Sequence, residues 1–366
     1  MKIECIKEKL RVAVSQAERV VGRNLALSIL SCVVLEAKDK DLRIKATNLD
    51  LGVEIVVPAK IHKEGSIALS GSLLSGYLSA LRGGDVVVLD KAGENITISS
   101  DKTNTLIKTI SVDDFPDIPR VEVEQTLTVP VKQFVDGLRN VLYSAAVTDI
   151  KPEIASVFVY TANNELVFVA TDSFRLSEKR FRTEGVSESK GFLIPHKNAQ
   201  EVARILEERD GDLEIGYSGN QVAFIMDGLY LTSRLVGGNF PPYEQIIPQA
   251  FTTTVVVLKK DILEALKLTN LFTDRFNRIS LKVMPKEGLF EIESRDSDTG
   301  ENTVRIDATL EGSDIALDFN ARLIMDCFQS VSDEAVSFNF SGEGKPLVIK
   351  PISDATFRYL VMPMLG

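Results

Sequence analysis

The chain has 366 residues, a formal net charge of −10 and 44% apolar residues, which is sequence enough for two to three ordinary domains, each with a real core. That charge disfavours general attraction to nucleic acid or anionic membrane, and the longest aliphatic runs, Val86 to Leu89 and Val255 to Leu258, are strand-sized and far short of a bilayer span. Three scattered cysteines, Cys5, Cys32 and Cys327, and the charged start MKIECIKEKL predict no disulfide framework and no signal peptide, hence a reduced, cytoplasmic chain.

In chain order, the first helical face lies in 7–22, where Leu10, Ala13, Val14, Ala17 and Val21 recur at helical spacing. The stretch LRIKATNLD (Leu42 to Asp50) follows the turn-like AKDKD and reads as the second arm of a β-hairpin. A second helix is predicted near 71–82 through Leu73, Leu74, Tyr77, Leu78 and Leu81. An alternating strand at Thr105 to Ile110 precedes DFPDIP (Asp114 to Pro119). The pattern then begins again. A helix face falls in 130–146 (Val131, Phe134, Val135, Leu138, Val141, Leu142, Ala145), a hairpin arm at LVFVATDSF (Leu166 to Phe174) and a helix near 196–210. NFPPYEQIIP (Asn239 to Pro248) closes this second round. A third follows, with helices near 258–273 and 320–332, the arm LFEIESRDS (Leu289 to Ser297), and an apolar tail, RYLVMPMLG.

The spacing of these features is nearly constant. Phe115 and Phe240, each followed by proline, stand 125 residues apart, and Ala46 and Ala170 stand 124 apart. Features of several kinds on one spacing argue for an internal repeat. The expectation is an α+β chain of three similar domains, 1–120, 121–248 and 249–366, each with two helices packed on antiparallel sheet. The helical windows are together net basic and the remainder net acidic. Copies of one unit form an arc, and an arc closed by a head-to-tail contact is a ring. With the helices inside, such a ring would present a mildly basic hole suited to a polyanion, without reading its sequence.

ATDSFRLS (Ala170 to Ser177), FPPYEQIIP (Phe240 to Pro248) and YLVMPM (Tyr359 to Met364) resemble the bacterial sliding-clamp family, the β subunit of DNA polymerase III. The resemblance covers the whole chain. It implies the DNA-clamp fold and a homodimeric ring around duplex DNA that acts as a processivity factor, with no catalysis and no cofactor. The implied partners are the DNA polymerase III alpha subunit, other polymerases, further clients carrying short apolar motifs, and an ATP-dependent clamp loader, with no membrane. Two departures stand out. Ser173 and Phe174 replace a Gly-His pair common in the family, and Leu365-Gly366 replaces the usual Arg-Leu.

By the same resemblance a client-peptide pocket is lined by Thr171, Ser173, Phe174, Arg175 and Leu176, with Pro241 and Ile246 from the Phe-Pro segment. Leu360, Met362, Pro363 and Met364 from the tail complete it, and Ile154 joins by spacing. Methionine suits a surface that accepts several partners; composition alone reads the tail as a core strand instead. The DNA-facing candidates are Arg11, Arg19, Arg23, Lys132 and Arg139, then Lys197, Arg204, Lys260 and Lys267, all on or beside the predicted helices. Ring closure is assigned to the edge strand at Thr105, Leu106 and Ile107 and to the helix end at Leu271 and Phe272.

Enzyme signals are poor. The two histidines, His62 and His196, lack metal-ligand spacing and are read as loop and helix-start residues. GEGKP (Gly342 to Pro346) is a turn without phosphate-loop spacing, and DSDTGE (Asp296 to Glu301) puts Gly300 where a calcium ligand should be. The rival readings are a repeat-built enzyme using Asp172 and Asp296, and a protein-only scaffold using the tail groove.

Overall fold

The structure is a computed structural model that describes residues 1–22, 27–122, 125–148, 150–183 and 188–364. The first round of elements is β1 (Lys2–Ile6), α1 (Lys7–Glu18), β2 (Cys32–Lys38), β3 (Asp41–Thr47), β4 (Leu51–Lys63), β5 (Gly65–Ser70), α2 (Gly71–Ala80), β6 (Val86–Ala92), β7 (Asn95–Ser99) and β8 (Asn104–Lys108). The second is β9 (Gln125–Pro130), α3 (Val131–Leu142), β10 (Ser156–Ala162), β11 (Glu165–Thr171), β12 (Arg175–Arg182), β13 (Phe192–Pro195), α4 (His196–Leu206), β14 (Asp212–Ser218), β15 (Gln221–Met226) and β16 (Leu229–Arg234). The third is β17 (Thr253–Leu258), α5 (Lys259–Thr269), β18 (Arg278–Met284), β19 (Leu289–Asp296), β20 (Gly300–Arg305), β21 (Ala308–Gly312), β22 (Ile315–Asn320), α6 (Ala321–Asp326), β23 (Ala335–Phe340), β24 (Leu347–Pro351) and β25 (Phe357–Val361). The order is therefore the same each time, except that β20 and β21 stand where the earlier rounds have one strand.

The helices form where apolar spacing predicts them and stop earlier. α1 buries Leu10, Ala13, Val14 and Ala17 on one face. Side-chain caps start two of the others: Ser70 accepts from the Leu73 amide, and Asn320 from those of Arg322 and Leu323. α5 ends at Thr269, whose hydroxyl bonds back to the Ala265 carbonyl at 2.7 Å, and 3-10 turns at Asn270–Phe272 and Cys327–Ser330 replace the last predicted turns of α5 and α6. His62 lies within β4 rather than in a loop, because pairing with β1 extends that strand to Lys63.

The chain packs as two compact units that cut across the rounds. The first comprises Met1–Lys132 and Glu201–Leu235. Its sheet runs β8-β7-β6-β1-β4-β16-β15-β14-β9, with β2, β3 and β5 attached beside β4. Every pairing is antiparallel, and β4 joins β16 with Leu51 opposite Ser233. The second unit comprises Gln133–Gln200 and Val236–Gly366. It holds a nine-stranded sheet, β13-β10-β11-β12-β25-β24-β23-β17-β21, and a four-stranded one, β20-β19-β18-β22. Here β12 joins β25, with Arg175 opposite Val361.

The β12–β25 seam lies between two apolar layers. Phe357, Tyr359 and Val361 of β25 point into the main core of the unit, with Phe290, Phe338 and Phe340. Leu360 points the other way, into a smaller cluster with Val167, Val169, Leu176, Tyr243, Ile247 and Val348. Strand alternation thus buries both faces of β25.

Candidate functional site

The turn between β11 and β12 is built from its own side chains. Thr171 Oγ1 donates to the Arg175 carbonyl at 2.6 Å and accepts from the Ser173 amide at 3.1 Å. Asp172 Oδ1 accepts from the amides of Phe174 and Arg175, both at 2.9 Å. This tightness forces Ser173 to φ +78°, a left-handed conformation that favours glycine. Phe174 is turned outward and is 66% exposed. The first unit repeats the device: Thr47 bonds the Leu51 carbonyl and the Leu49 amide, Asn48 accepts from Asp50 and Leu51, and Leu49 sits at φ +79°.

Arg175 is fixed beneath this turn. Its Nε donates to Asp172 Oδ2 at 2.9 Å, a terminal nitrogen pairs with Asp326, and the guanidinium lies over the Tyr143 ring at 5.9 Å. Burial opposes its charge, but Tyr359, Asp326 and Asp172 raise its pKa above the ordinary arginine value. Sequence reasoning missed all three of these contributors: Asp326 and Tyr143 were not singled out, and Asp172 was named only as a carboxylate of the rival enzyme reading.

The tail is tied down as far as it is described. The Met362 amide donates to the Phe174 carbonyl at 2.8 Å, and the Met364 amide to that of Asp318 at 2.8 Å. The Phe-Pro segment approaches through a 3-10 turn, Tyr243–Ile246. Phe240 stacks on Phe158 at 5.1 Å and meets the Tyr243 ring edge-on at 6.0 Å.

The predicted lining therefore separates by depth. Leu176, Leu360 and Thr171 are buried, the two leucines in one apolar cluster. Arg175, Met362, Pro363 and Met364 are half-buried; Ser173, Phe174, Pro241 and Ile246 are exposed. Ile154 is half-buried on a separate turn, its amide bonded to the Lys151 carbonyl at 3.2 Å.

The basic candidates are mostly exposed and several are already paired. Arg11 meets Glu8 at 2.6 Å, Lys132 meets Asp210 at 2.7 Å and Arg204 meets Glu201 at 2.8 Å. Arg139 and Lys197 are exposed and also make interactions. Arg19, Lys260 and Lys267 are exposed, while Arg23 lies outside the described residues. A polar cleft of about 520 Å³ opens beside Arg139, lined also by Tyr143, His196 and Gln200. Burial lowers the His196 pKa, so the imidazole there favours its neutral form.

At the sheet edges, β8 pairs only with β7 and β20 only with β19 among the described residues. Leu106 is 63% and Leu271 68% exposed; Ile107 is buried, Thr105 and Phe272 are half-buried. Among the described residues, no group of three or more His, Cys, Asp or Glu side chains is placed to hold a metal, and no helix is long and apolar enough to cross a membrane.

Three family models match consecutive stretches: the N-terminal domain of the DNA polymerase III beta subunit over 1–119, its central domain over 128–242 and its C-terminal domain over 244–365. The "Beta sliding clamp" of Staphylococcus aureus (strain Mu50 / ATCC 700699) is 23% identical over 355 residues, covering 94% of each chain. Among solved structures, the DNA polymerase III beta subunit of Thermotoga maritima superposes with a TM-score of 0.95 at 26% identity, over 100% of this chain and 99% of that one. A Pseudomonas aeruginosa sliding clamp bound to griselimycin gives 0.95 at 20% identity over 100% of both chains.

Proposed function

The chain belongs to the DNA polymerase III beta-subunit family, and from that membership we propose that it is a polymerase processivity factor, a sliding clamp that encircles duplex DNA. It is not an enzyme: it holds DNA and tethers polymerases and other clients beside it. The domain boundaries we assign are 1–120, 121–248 and 249–366.

The observation that carries the ring is which strand edges are in use. In the first two rounds the fourth strand pairs with the last strand of the following round. β4 takes β16 and β12 takes β25. The remaining fourth strand, β20, and the remaining last strand, β8, both end a sheet. An unpaired edge is a template for another chain, so β20 of one copy takes β8 of a second, and two such contacts close a homodimer. Leu106, Leu271 and Phe272 then lie at the contact. An ATP-dependent loader opens the ring.

Retention is topological. Helix cations already paired with acids, such as Arg11, Lys132 and Arg204, give weak, interchangeable phosphate contacts that do not obstruct sliding. Clients and griselimycin dock on the turn, tail and Phe-Pro segment of the second unit, where Phe174, Pro241 and Ile246 stand exposed. Exposed apolar side chains grouped on a fixed frame mark an interaction site.

The test is retention. Loaded on closed circular DNA by a clamp loader, the protein should stay through gel filtration and be lost once the circle is cut. Equal retention on both forms would refute the clamp reading.

A further inference from the structure

We propose that Glu178 is the positioning residue of the client groove, a single buried carboxylate that clasps the three segments forming its walls. The inference rests on the groove reading above and names what holds that groove in shape.

Glu178 lies on β12 and is 1% exposed. Its Oε1 accepts from Arg180 Nε at 2.7 Å and from Arg358 Nε at 2.6 Å. Its Oε2 accepts from the Tyr243 hydroxyl at 2.6 Å and from Arg180 Nη2 at 3.1 Å. Each donor comes from a segment that matters. β12 begins at the Thr171–Arg175 turn that presents Phe174. Arg358, directly opposite Glu178 across the seam, sits on the strand that runs into Met362 and Met364. Tyr243 opens the 3-10 turn that carries Ile246, and its ring packs with Leu176 and Leu360 in one apolar cluster. The chain of hydroxyls continues to Tyr160, 2.7 Å from the Tyr243 oxygen.

A buried ion pair is a poor source of stability, because desolvation offsets most of the attraction, and apolar side chains of like volume hold a seam at least as well. What the carboxylate supplies is direction: several charge-assisted hydrogen bonds that only one arrangement of the three segments satisfies. Although burial pushes its pKa upward, Arg180, Arg358 and Tyr243 draw it below the ordinary carboxyl value, so it is charged at neutral pH.

The first seam carries the same device independently. Glu54, 124 residues before Glu178, is buried in β4 and pairs with Arg120 at 2.9 Å, just beyond the first Phe-Pro segment. Opposite Glu54, Tyr230 accepts the Val121 amide at 2.9 Å and donates to the Pro119 carbonyl at 3.1 Å. At both seams, a buried glutamate on the fourth strand holds the connector that leaves its own round.

Calorimetric titration of griselimycin into the full-length protein tests the inference, using Glu178→Gln, Tyr243→Phe and their double variant, with Ile246→Ser reporting on the groove face itself. Either clasp variant should bind about tenfold more weakly, the loss of one hydrogen bond to a charged group. The double variant should be no weaker than Glu178→Gln, since both act through one contact. Hydrogen exchange should quicken in Glu178→Gln at the Met362 and Ile247 amides and stay unchanged along β23. Binding within about twofold of wild type, or faster exchange spread evenly through the unit, would overturn the clasp. If the wild-type chain does not bind griselimycin, or Ile246→Ser leaves binding intact, the groove reading fails instead, and the exchange pattern still decides whether Glu178 positions these segments. Tyr243→Phe removes one hydroxyl only and keeps the test open should Glu178→Gln fold poorly.

Discussion

Cysteines at Leu106 and Thr303 would read the proposed contact between copies to a single residue. The two existing seams fix its register. Across the hairpins, Thr47 faces Gly52, Thr171 faces Leu176 and Ser294 faces Asn302. Leu51, Arg175 and Glu301 are therefore equivalent, and the first two face Ser233 and Val361. The 125-residue spacing of the Phe-Pro pairs carries Ser233 back to Lys108. Glu301 of one copy then opposes Lys108 of the other, which are opposite charges, and Thr303 opposes Leu106. Directly facing residues in an antiparallel pair have Cα atoms about 4.5–5.5 Å apart, inside the range a disulfide spans. Mild oxidation of Leu106→Cys/Thr303→Cys should give a reducible band on a non-reducing gel at about twice the 40.3 kDa chain mass. The native thiols are buried and do not compete; burial pushes Cys5 up to about 12 and raises Cys32 and Cys327 as well. Leu106→Cys/Asn302→Cys should fail, because a one-residue slip turns the side chain to the other face. A stronger band from that control would refute the register, and a ladder of higher species would refute closure.

Ser173→Gly should stabilise the protein by about 0.5–1 kcal/mol in chemical denaturation, because relief of the left-handed strain outweighs the entropy glycine adds to the unfolded chain; destabilisation would show that the Ser173 side chain makes a compensating contact. Gly137→Ala should cost about 1–2 kcal/mol although alanine favours helix, since its Cβ would run into the Phe168 ring. Unchanged or raised stability there would mean that the ring can move aside.

The repeat was legible because it rests on local patterns: helical spacing in Leu10 to Ala17 or Val131 to Ala145, and the similar hairpin arms LRIKATNLD and LVFVATDSF. The seams were not. β12 meets β25 from 180 residues away, as Glu178 and Arg358 show, and no local pattern announces such a pairing. The two compact units follow from those seams, which is why they cut across a repeat read from spacing alone. The tail was half legible. Composition read it as a core strand and the resemblance as part of a pocket lining, and Tyr359 and Leu360 enter separate apolar clusters on opposite sides. Exposure begins only at Met362, where pairing with β12 ends.

The two seams also explain why a repeat-built chain offers the proposed groove once. Both carry the Thr-Asx turn, the buried glutamate and a Phe-Pro connector, and in both the residue after the seam bonds the turn's carbonyl: Arg234 to Asp50 at 2.7 Å, Met362 to Phe174 at 2.8 Å. They differ in one side chain and its cover. At Gly52 the missing Cβ leaves room for Ile118, whose methyl would stand 3.1 Å from any Cβ added there, and the connector closes onto the seam. At the equivalent Leu176 the strand supplies its own bulk. Tyr243 and Ile247 pack against it from the connector, while Ile246 stays 48% exposed. A connector held by the same carboxylate thus lies flush over glycine and stands off over leucine. The apolar surface left between connector, turn and tail is where we place the client.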